Sequence, residues 1–190
     1  VKRRPAPGSA GRPRRQEVPP MTAPPPPMPA HWHCYRWTGE RRTYDDESAR
    51  RPPHLVVQDI PPQEWQRIAA ASPAFMASDV PPLEVPHWLL RPARMIKATF
   101  EAPDKASAWY RDQISDLSPS FLSDHDKDAV RQAGRFAAAE DRLSWGGDVV
   151  GGWYLRGTGF ASLQVVACSA NRIRPTIPCP LGHGAGSAAG

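Results

Sequence analysis

The sequence predicts an α+β domain, in which about three helices pack on one face of a mainly antiparallel sheet of about five strands. Short runs rich in aromatic and β-branched residues predict strands, and residues 95–101 also alternate apolar and polar side chains, as a half-buried strand does. Longer apolar stripes at helical spacing lie between some of these runs but not between all of them. The regular alternation of strand and crossover helix that a parallel sheet requires is therefore missing.

The elements follow one another as two strands, a helix, a loop, a strand, two helices and two strands. Aromatic and β-branched runs predict the strands, and a short glycine-containing hairpin loop joins the last two. The predicted strands are residues 31–38, 54–60, 95–101, 148–155 and 160–168. Apolar stripes at helical spacing predict the helices, and the first two begin at prolines, which are tolerated in a first helical turn. The predicted helices are residues 61–72, 103–117 and 126–143.

Two further segments are predicted to be loops. Residues 40–53 are charged and end in paired arginines and paired prolines, so we expect them to connect the first two strands without regular structure. Residues 73–94 contain five prolines, which exclude a long regular element, but they also carry eight large apolar side chains. We therefore expect residues 73–94 to form an ordered loop that covers the core and is able to close a binding site.

The composition divides the chain into a leader of residues 1–30, a domain of residues 31–181 and a short tail of residues 182–190. The leader contains ten of the 24 prolines and little that is apolar, so we expect it to be disordered. It holds six of the 24 basic residues and one of the 19 acidic residues, so residues 31–190 balance at eighteen of each. The net charge of +5 therefore belongs to the leader, which argues against nucleic-acid binding by the domain.

The sequence also indicates a compartment. No apolar run approaches the length needed to cross a membrane, and the basic start continues into Pro and Gly rather than into the apolar stretch of a signal peptide. Three cysteines are an odd and low number that does not describe a disulfide framework. These observations predict a soluble, cytoplasmic protein.

Six residues are candidate metal ligands, because thiolates and imidazoles are the donors that zinc prefers. However, no Cys-x-x-Cys pair is present, and the six residues lie near the two ends of the predicted domain. Their spacing matches no recognised zinc pattern, so the sequence predicts neither a bound metal nor a cofactor. The six residues are His31, His33, Cys34, Cys168, Cys179 and His183.

Signatures of phosphate binding and of nucleophilic catalysis are missing from the sequence. The glycines of residues 146–159 follow a predicted helix and precede strands, whereas a phosphate cradle leads from a strand into a helix N-terminus. There is also no Gly-x-Ser-x-Gly motif of the kind that exposes a nucleophilic serine. Function must therefore be sought in single polar residues.

Glu140 is the most informative of these residues. On a projection of residues 126–143 at about 100° per residue, Glu140 falls in the middle of the apolar side of the helix. A carboxylate that faces a core is costly unless it is paired, so we expect either a structural ion pair or a cavity there. The apolar side is predicted from Ala129, Val130, Ala133, Phe136, Ala137 and Leu143, and the candidate partners are Lys97, His54 and Tyr154.

Three functional hypotheses follow. The first is a non-enzymatic binding or interaction module of a regulatory kind, with a protein or a small molecule as its partner, because catalytic signatures are missing. The second is a small metal-independent hydrolase, lyase or isomerase that uses Glu140, together with His54 or Asp148, in a pocket closed by residues 73–94. The third is nucleic-acid binding through the basic leader.

Overall fold

The computed structural model of the protein describes residues 28–47, 50–52 and 73–182. Its centre is a four-stranded antiparallel sheet with the strand order β2-β1-β4-β3. The strands are β1 (His31–Glu40), β2 (Ala98–Phe100), β3 (Val149–Tyr154) and β4 (Gly159–Cys168). The predicted α+β class with an antiparallel sheet is confirmed. The strand and helix predicted within residues 54–72 lie outside the described residues.

Five helices accompany the sheet in the described residues. They are α1 (Arg41–Asp45), α2 (Pro73–Ala77), α3 (Pro103–Leu117), α4 (Asp124–Lys127) and α5 (Ala129–Ser144), together with 3₁₀ turns at Val85–Leu90, Ala93–Met95 and Ser118–Ser120. The helix predicted at residues 126–143 is divided, because Asp128 has an extended backbone and caps α5 by accepting a hydrogen bond from the Arg131 amide at 3.0 Å. The short helix α1 lies in the segment that was predicted to be a loop.

The pairing of β1 with β4 is the longest in the sheet. All ten residues of β1 pair with β4, from His31 opposite Cys168 to Glu40 opposite Gly159. Side chains alternate between the two faces of a strand, so each of these two central strands contributes to two separate cores. The buried residues of β4 run almost without interruption from Phe160 to Cys168, as expected of a strand that is covered on both sides.

One face of the sheet is covered by α3 and α5, and we refer to it as the helix-covered face. Trp32 and Cys34 of β1 point to this side and pack with Ile114 of α3 and Leu143 of α5 in one core cluster. Arg36 of β1 ties α3 to the sheet by donating to Gln113 at 2.7 Å and to Asp116 at 2.9 Å. The predicted packing of helices on one face is therefore seen.

The opposite face is covered by irregular segments, residues 78–97 and 169–182, and we refer to it as the loop-covered face. Tyr35 of β1 stacks on Trp88 with ring centroids 4.5 Å apart, and Ile177 belongs to the same core cluster. Two buried arginines hold the first segment through its carbonyl groups: Arg50 donates to Pro81 at 2.8 Å and Arg91 donates to Val80 at 3.3 Å. The expectation that residues 73–94 form an ordered loop over the core is confirmed.

Contacts with the domain begin before residue 31. Pro29 is buried, and the Ala30 amide donates to the Ser169 carbonyl at 3.1 Å. Ala30 therefore adds one backbone hydrogen bond beyond the end of the β1–β4 ladder. Within the described part of the chain, every helix is too short or too polar to cross a membrane.

Candidate metal centre

Four potential metal ligands meet where β1 begins and β4 ends, on the loop-covered face. They are His31 and His33 of β1, Cys168 at the end of β4, and Cys179 of the segment that follows. One ligand atom from each lies within 4.8 Å of all the others, and no residue of the four is more than 9% exposed. The sequence separates the two pairs by more than 130 residues, and the fold brings them together.

Three of the six separations between the ligand atoms match those of a tetrahedral site, and the three that involve Cys168 are at most 4.8 Å. The two Nε2 atoms of His31 and His33 are 3.1 Å apart, and the Cys179 Sγ lies 3.5 Å from each of them. Ordinary Zn–N and Zn–S bond lengths at the tetrahedral angle place two nitrogens about 3.3 Å apart, and a nitrogen and a sulfur about 3.6 Å apart. The three observed distances agree with these values to within a few tenths of an ångström.

Strand geometry positions three of the four ligands. His31 and His33 are two residues apart on β1, so both point to the loop-covered face. His31 pairs directly with Cys168 across the β1–β4 ladder, which places the imidazole and the thiol side by side. Regular antiparallel pairing therefore builds this part of the cluster without any special loop.

The fourth ligand, Cys179, is carried by a segment that Asn171 anchors to the sheet. The Asn171 side chain donates to the Ala167 carbonyl at 3.0 Å and accepts from the amides of Ile173 and Arg174 at 2.9 and 3.1 Å. Further along, buried Ile177 packs in the core of the loop-covered face. These contacts turn the chain back after β4 and return Cys179 to the histidines.

Thr99 supports the cluster from the neighbouring strand. His33 pairs with Thr99 in the β1–β2 ladder, and the His33 Nδ1 lies 2.8 Å from the Thr99 Oγ1. This contact suits an Nδ1–H that donates to the hydroxyl oxygen, which leaves the lone pair on Nε2, the nitrogen that faces the cluster. Metal-binding histidines commonly have such an outer partner, which orients the ring.

Burial disfavours an uncompensated negative charge on the Cys168 thiol. Burial raises the pKa of Cys168 to about 12, and the neighbouring Cys179 adds to this effect. Two thiolates in a buried space repel each other, whereas a metal cation between them would compensate both charges. The chemistry that this arrangement suits is therefore binding of a thiophilic metal ion.

Sequence reasoning identified these four residues as potential ligands but predicted no metal, because the spacing in the chain is not a zinc pattern. The available signal was the His-x-His alternation in β1 together with Cys168 at the end of the partner strand. Of the other two candidates, Cys34 lies on the helix-covered face, where burial raises its pKa to about 12. His183 lies outside the described residues.

The predicted inward orientation of Glu140 is wrong. Its side chain is 50% exposed and forms an ion pair with Arg111 of α3. Val130, predicted to lie in the core, is 79% exposed, whereas Ala139 and Leu143 are buried. The buried face of α5 is thus rotated by roughly 80° from the predicted one, because the small alanines gave an apolar stripe without being the residues that pack.

Of the two other residues proposed for catalysis, Asp148 alone lies within the described residues, and it has its own hydrogen-bond partners away from Glu140. Asp148 is partly buried beside Asn171. Its carboxylate accepts from the backbone amide of Ala167 at 2.7 Å and from the side-chain amide of Asn171 at 3.1 Å. Burial raises the pKa of Asp148, and these hydrogen bonds oppose the rise. Asp148 thus helps to hold the turn that returns Cys179. His54 lies outside the described residues.

No family model matches this chain, and comparisons with curated proteins and with solved structures found no match either.

Proposed function

We propose that this domain is a metal-binding module whose His31, His33, Cys168 and Cys179 hold one zinc ion. The observation that carries the proposal is the convergence of four nitrogen and sulfur donors within 4.8 Å, in a buried position. Two imidazoles and two thiols form one of the donor sets found in structural zinc sites.

The donor set favours zinc over the harder metals. Calcium and magnesium prefer oxygen ligands, of which this cluster has none among its four members. Thiolates select zinc, copper(I) or iron–sulfur clusters, and a tetrahedral arrangement of two nitrogens and two sulfurs is typical of zinc. The short separations between the ligand atoms leave room for a single ion rather than for a cluster of metals.

A structural role follows from the ligand count. Four protein ligands complete a tetrahedron, whereas a catalytic zinc site keeps one position open for water or substrate. The site also joins the start of β1 to the segment after β4, so the ion would hold together parts of the chain that are distant in sequence. This supports a binding module without catalysis, the first of the hypotheses drawn from the sequence.

The competing hypotheses receive less support. The enzyme hypothesis depended on a buried Glu140, and the side chain is instead half exposed and paired with Arg111. Nucleic-acid binding depended on the leader, whose structure lies outside the described residues up to residue 27. The basic excess of the chain is confined to that leader, so the third hypothesis rests on charge alone.

Zinc content of the purified full-length chain tests the proposal. We expect about one zinc ion per chain, measured by elemental analysis after purification without added metal. Replacement of the ion by cobalt(II) should give the visible absorption of a tetrahedral site with thiolate ligands. Removal of zinc by a chelator should lower the melting temperature by about 10 °C, because an ion present at 1,000 times its Kd stabilises by about 4 kcal/mol.

Cys34 provides the matched control, because it is a buried cysteine of β1 on the other face of the sheet. Cys179→Ala should abolish stoichiometric zinc binding and the chelator-dependent shift of the melting temperature. Cys34→Ala should retain both, even if the small cavity lowers its stability. Failure of the wild-type chain to bind zinc, or equal zinc in both variants, would contradict the proposed site.

A further inference from the structure

A second site candidate lies on the other side of the sheet. A cleft of about 290 Å³ runs between α5 and the edge strand β3 on the helix-covered face. Its walls include Ala138, Ala139 and Val149, and its polar lining comes from Tyr110, Arg135 and Arg142. Both charged residues in the lining are arginines, and the described residues place no carboxylate there.

Two buried hydrogen-bond donors in this cleft lack a partner among the described residues. They are the indole Nε1 of Trp153, a side chain that is 3% exposed, and the Nη1 of Arg135. The Arg135 guanidinium carbon lies 5.7 Å from the centroid of the Trp153 ring, and both residues line the same cleft. A buried donor without an acceptor costs free energy, which an incoming acceptor would restore.

A glycine of β3 allows two aromatic side chains of the cleft lining to lie close to the strand. Gly151 belongs to β3, and a Cβ atom there would lie 2.2 Å from the Trp153 ring and 2.4 Å from the Tyr110 hydroxyl. Glycine therefore lets both aromatic side chains lie against the strand. Burial raises the pKa of Tyr110 to about 12, so its hydroxyl keeps its proton and remains a potential donor at neutral pH.

Arg135 retains capacity for a ligand although it already has one ion-pair partner. Its Nη2 donates to Asp126 of α4, and this contact fixes the guanidinium with Nη1 free of protein acceptors in the described residues. Arginine presents several donors in a planar fork, so one edge can hold a carboxylate of the protein while another binds a ligand.

We propose that this cleft binds a small oxyanion, a phosphate or carboxylate group carried on a compact molecule, through Arg135 and Trp153. The ligand oxygens would accept from the Arg135 Nη1 and the Trp153 Nε1, and Arg142 would add positive charge at the mouth of the cleft. The volume of about 290 Å³ suits a molecule at the small end of the range bound by proteins. The site is separate from the metal centre, which lies on the loop-covered face.

The test is a titration of the 190-residue chain as purified, followed by the indole N–H resonances in ¹H–¹⁵N NMR spectra. Inorganic phosphate and acetate are added separately, at constant ionic strength set with chloride. We expect at least one of them to shift the Trp153 indole signal saturably, and the comparison distinguishes phosphate from carboxylate recognition. Trp88 is the internal control, because its indole Nε1 is likewise buried without a partner among the described residues but lies on the loop-covered face.

Two variants separate a ligand role of Arg135 from its structural role. Arg135→Gln should weaken binding by roughly tenfold or more, since a charge-assisted hydrogen bond is lost. Asp126→Asn breaks the same ion pair but keeps the guanidinium, so it should bind at least as tightly as the wild type. The proposal is overturned by an unshifted Trp153 signal with both anions, by equal affinity of Arg135→Gln and wild type, or by equal losses in the two variants.

Discussion

Thr99 connects the edge strand β2 to the candidate metal centre through a single hydroxyl group. The contact of its Oγ1 with the His33 Nδ1, at 2.8 Å, supports the proposed metal ligand on the side of the ring away from the cluster. Outer partners of this kind orient the imidazole ring, and their loss typically costs 10- to 100-fold in metal affinity. The role of Thr99 can therefore be separated from that of the ligands themselves.

We expect Thr99→Val to weaken zinc binding by about 10- to 100-fold without changing the stoichiometry at saturating zinc, because the shape of the side chain is kept and the hydroxyl is lost. Competition with a chromophoric chelator would measure the change. Thr38→Val is the matched control, since Thr38 is an exposed threonine of β1. An unchanged affinity for Thr99→Val would show that the hydroxyl does not support His33.

Single residues were the least predictable level of this structure. The four proposed ligands were among the six candidates that the sequence offered, since histidine and cysteine are the donors that zinc takes. Their meeting was not predicted, because it depends on the register that sets His31 opposite Cys168 and on the turn anchored by Asn171. The pairing of His31 with Cys168 joins residues distant in the chain, which local spacing does not encode. The contacts of Asn171 are local, but local spacing does not show that the turn returns Cys179 to the histidines.

At the scale of elements, the order of strands and helices was largely predictable and the rotation of α5 was not. Helix α3 was predicted at residues 103–117, where the structure places it, because Pro103 and the following apolar stripe mark its start and its buried face. In α5 the alanines are too small to decide which side packs. The burial of Ala139 and Leu143 was therefore decided by contact with the sheet.

The rotation of α5 changes what is expected of Glu140. Its ion pair with Arg111 bridges α5 and α3 at the surface, where both side chains are about half exposed. We expect Glu140→Gln to lower the free energy of unfolding by less than about 1 kcal/mol, as exposed ion pairs do, rather than by the 3–5 kcal/mol of a broken buried pair. Urea unfolding curves would measure the difference.

A double-mutant cycle with Arg111→Gln provides the control for that prediction. Arg111 also lies over the Phe136 ring, with its guanidinium carbon 5.3 Å from the ring centroid, so its own replacement removes more than the ion pair. The cycle isolates the coupling between the two charges. A coupling of several kcal/mol would contradict the exposed setting described for Glu140.

At the scale of the whole molecule, the net positive charge and the proposed metal ligands lie in different parts of the chain. Residues 1–27 carry the entire basic excess and contain neither histidine nor cysteine. All four proposed ligands lie between His31 and Cys179. A chain without residues 1–27 should therefore lose the net positive charge and still bind the proposed zinc ion.

We expect deletion of residues 1–27 to leave about one zinc per chain and to abolish any salt-sensitive binding to nucleic acid, because the phosphate-neutralising side chains are gone. Elemental analysis and RNA binding at low and high salt would measure the two effects. The full-length chain is the control for both. Loss of zinc on deletion, or nucleic-acid binding that persists at high salt, would contradict this division of roles.

The meeting of β1 and β4 at His31 and Cys168 also determines how the domain would respond to mechanical load. The two strands are antiparallel, and the first residue of β1 lies opposite the last residue of β4. A force that pulls the ends of the domain apart would therefore break the β1–β4 hydrogen bonds one residue pair at a time, starting from His31 and Cys168. Zinc–ligand bonds between His31 and Cys168 would hold together the pair that separates first. The bound ion would therefore raise the force needed to separate β1 from β4.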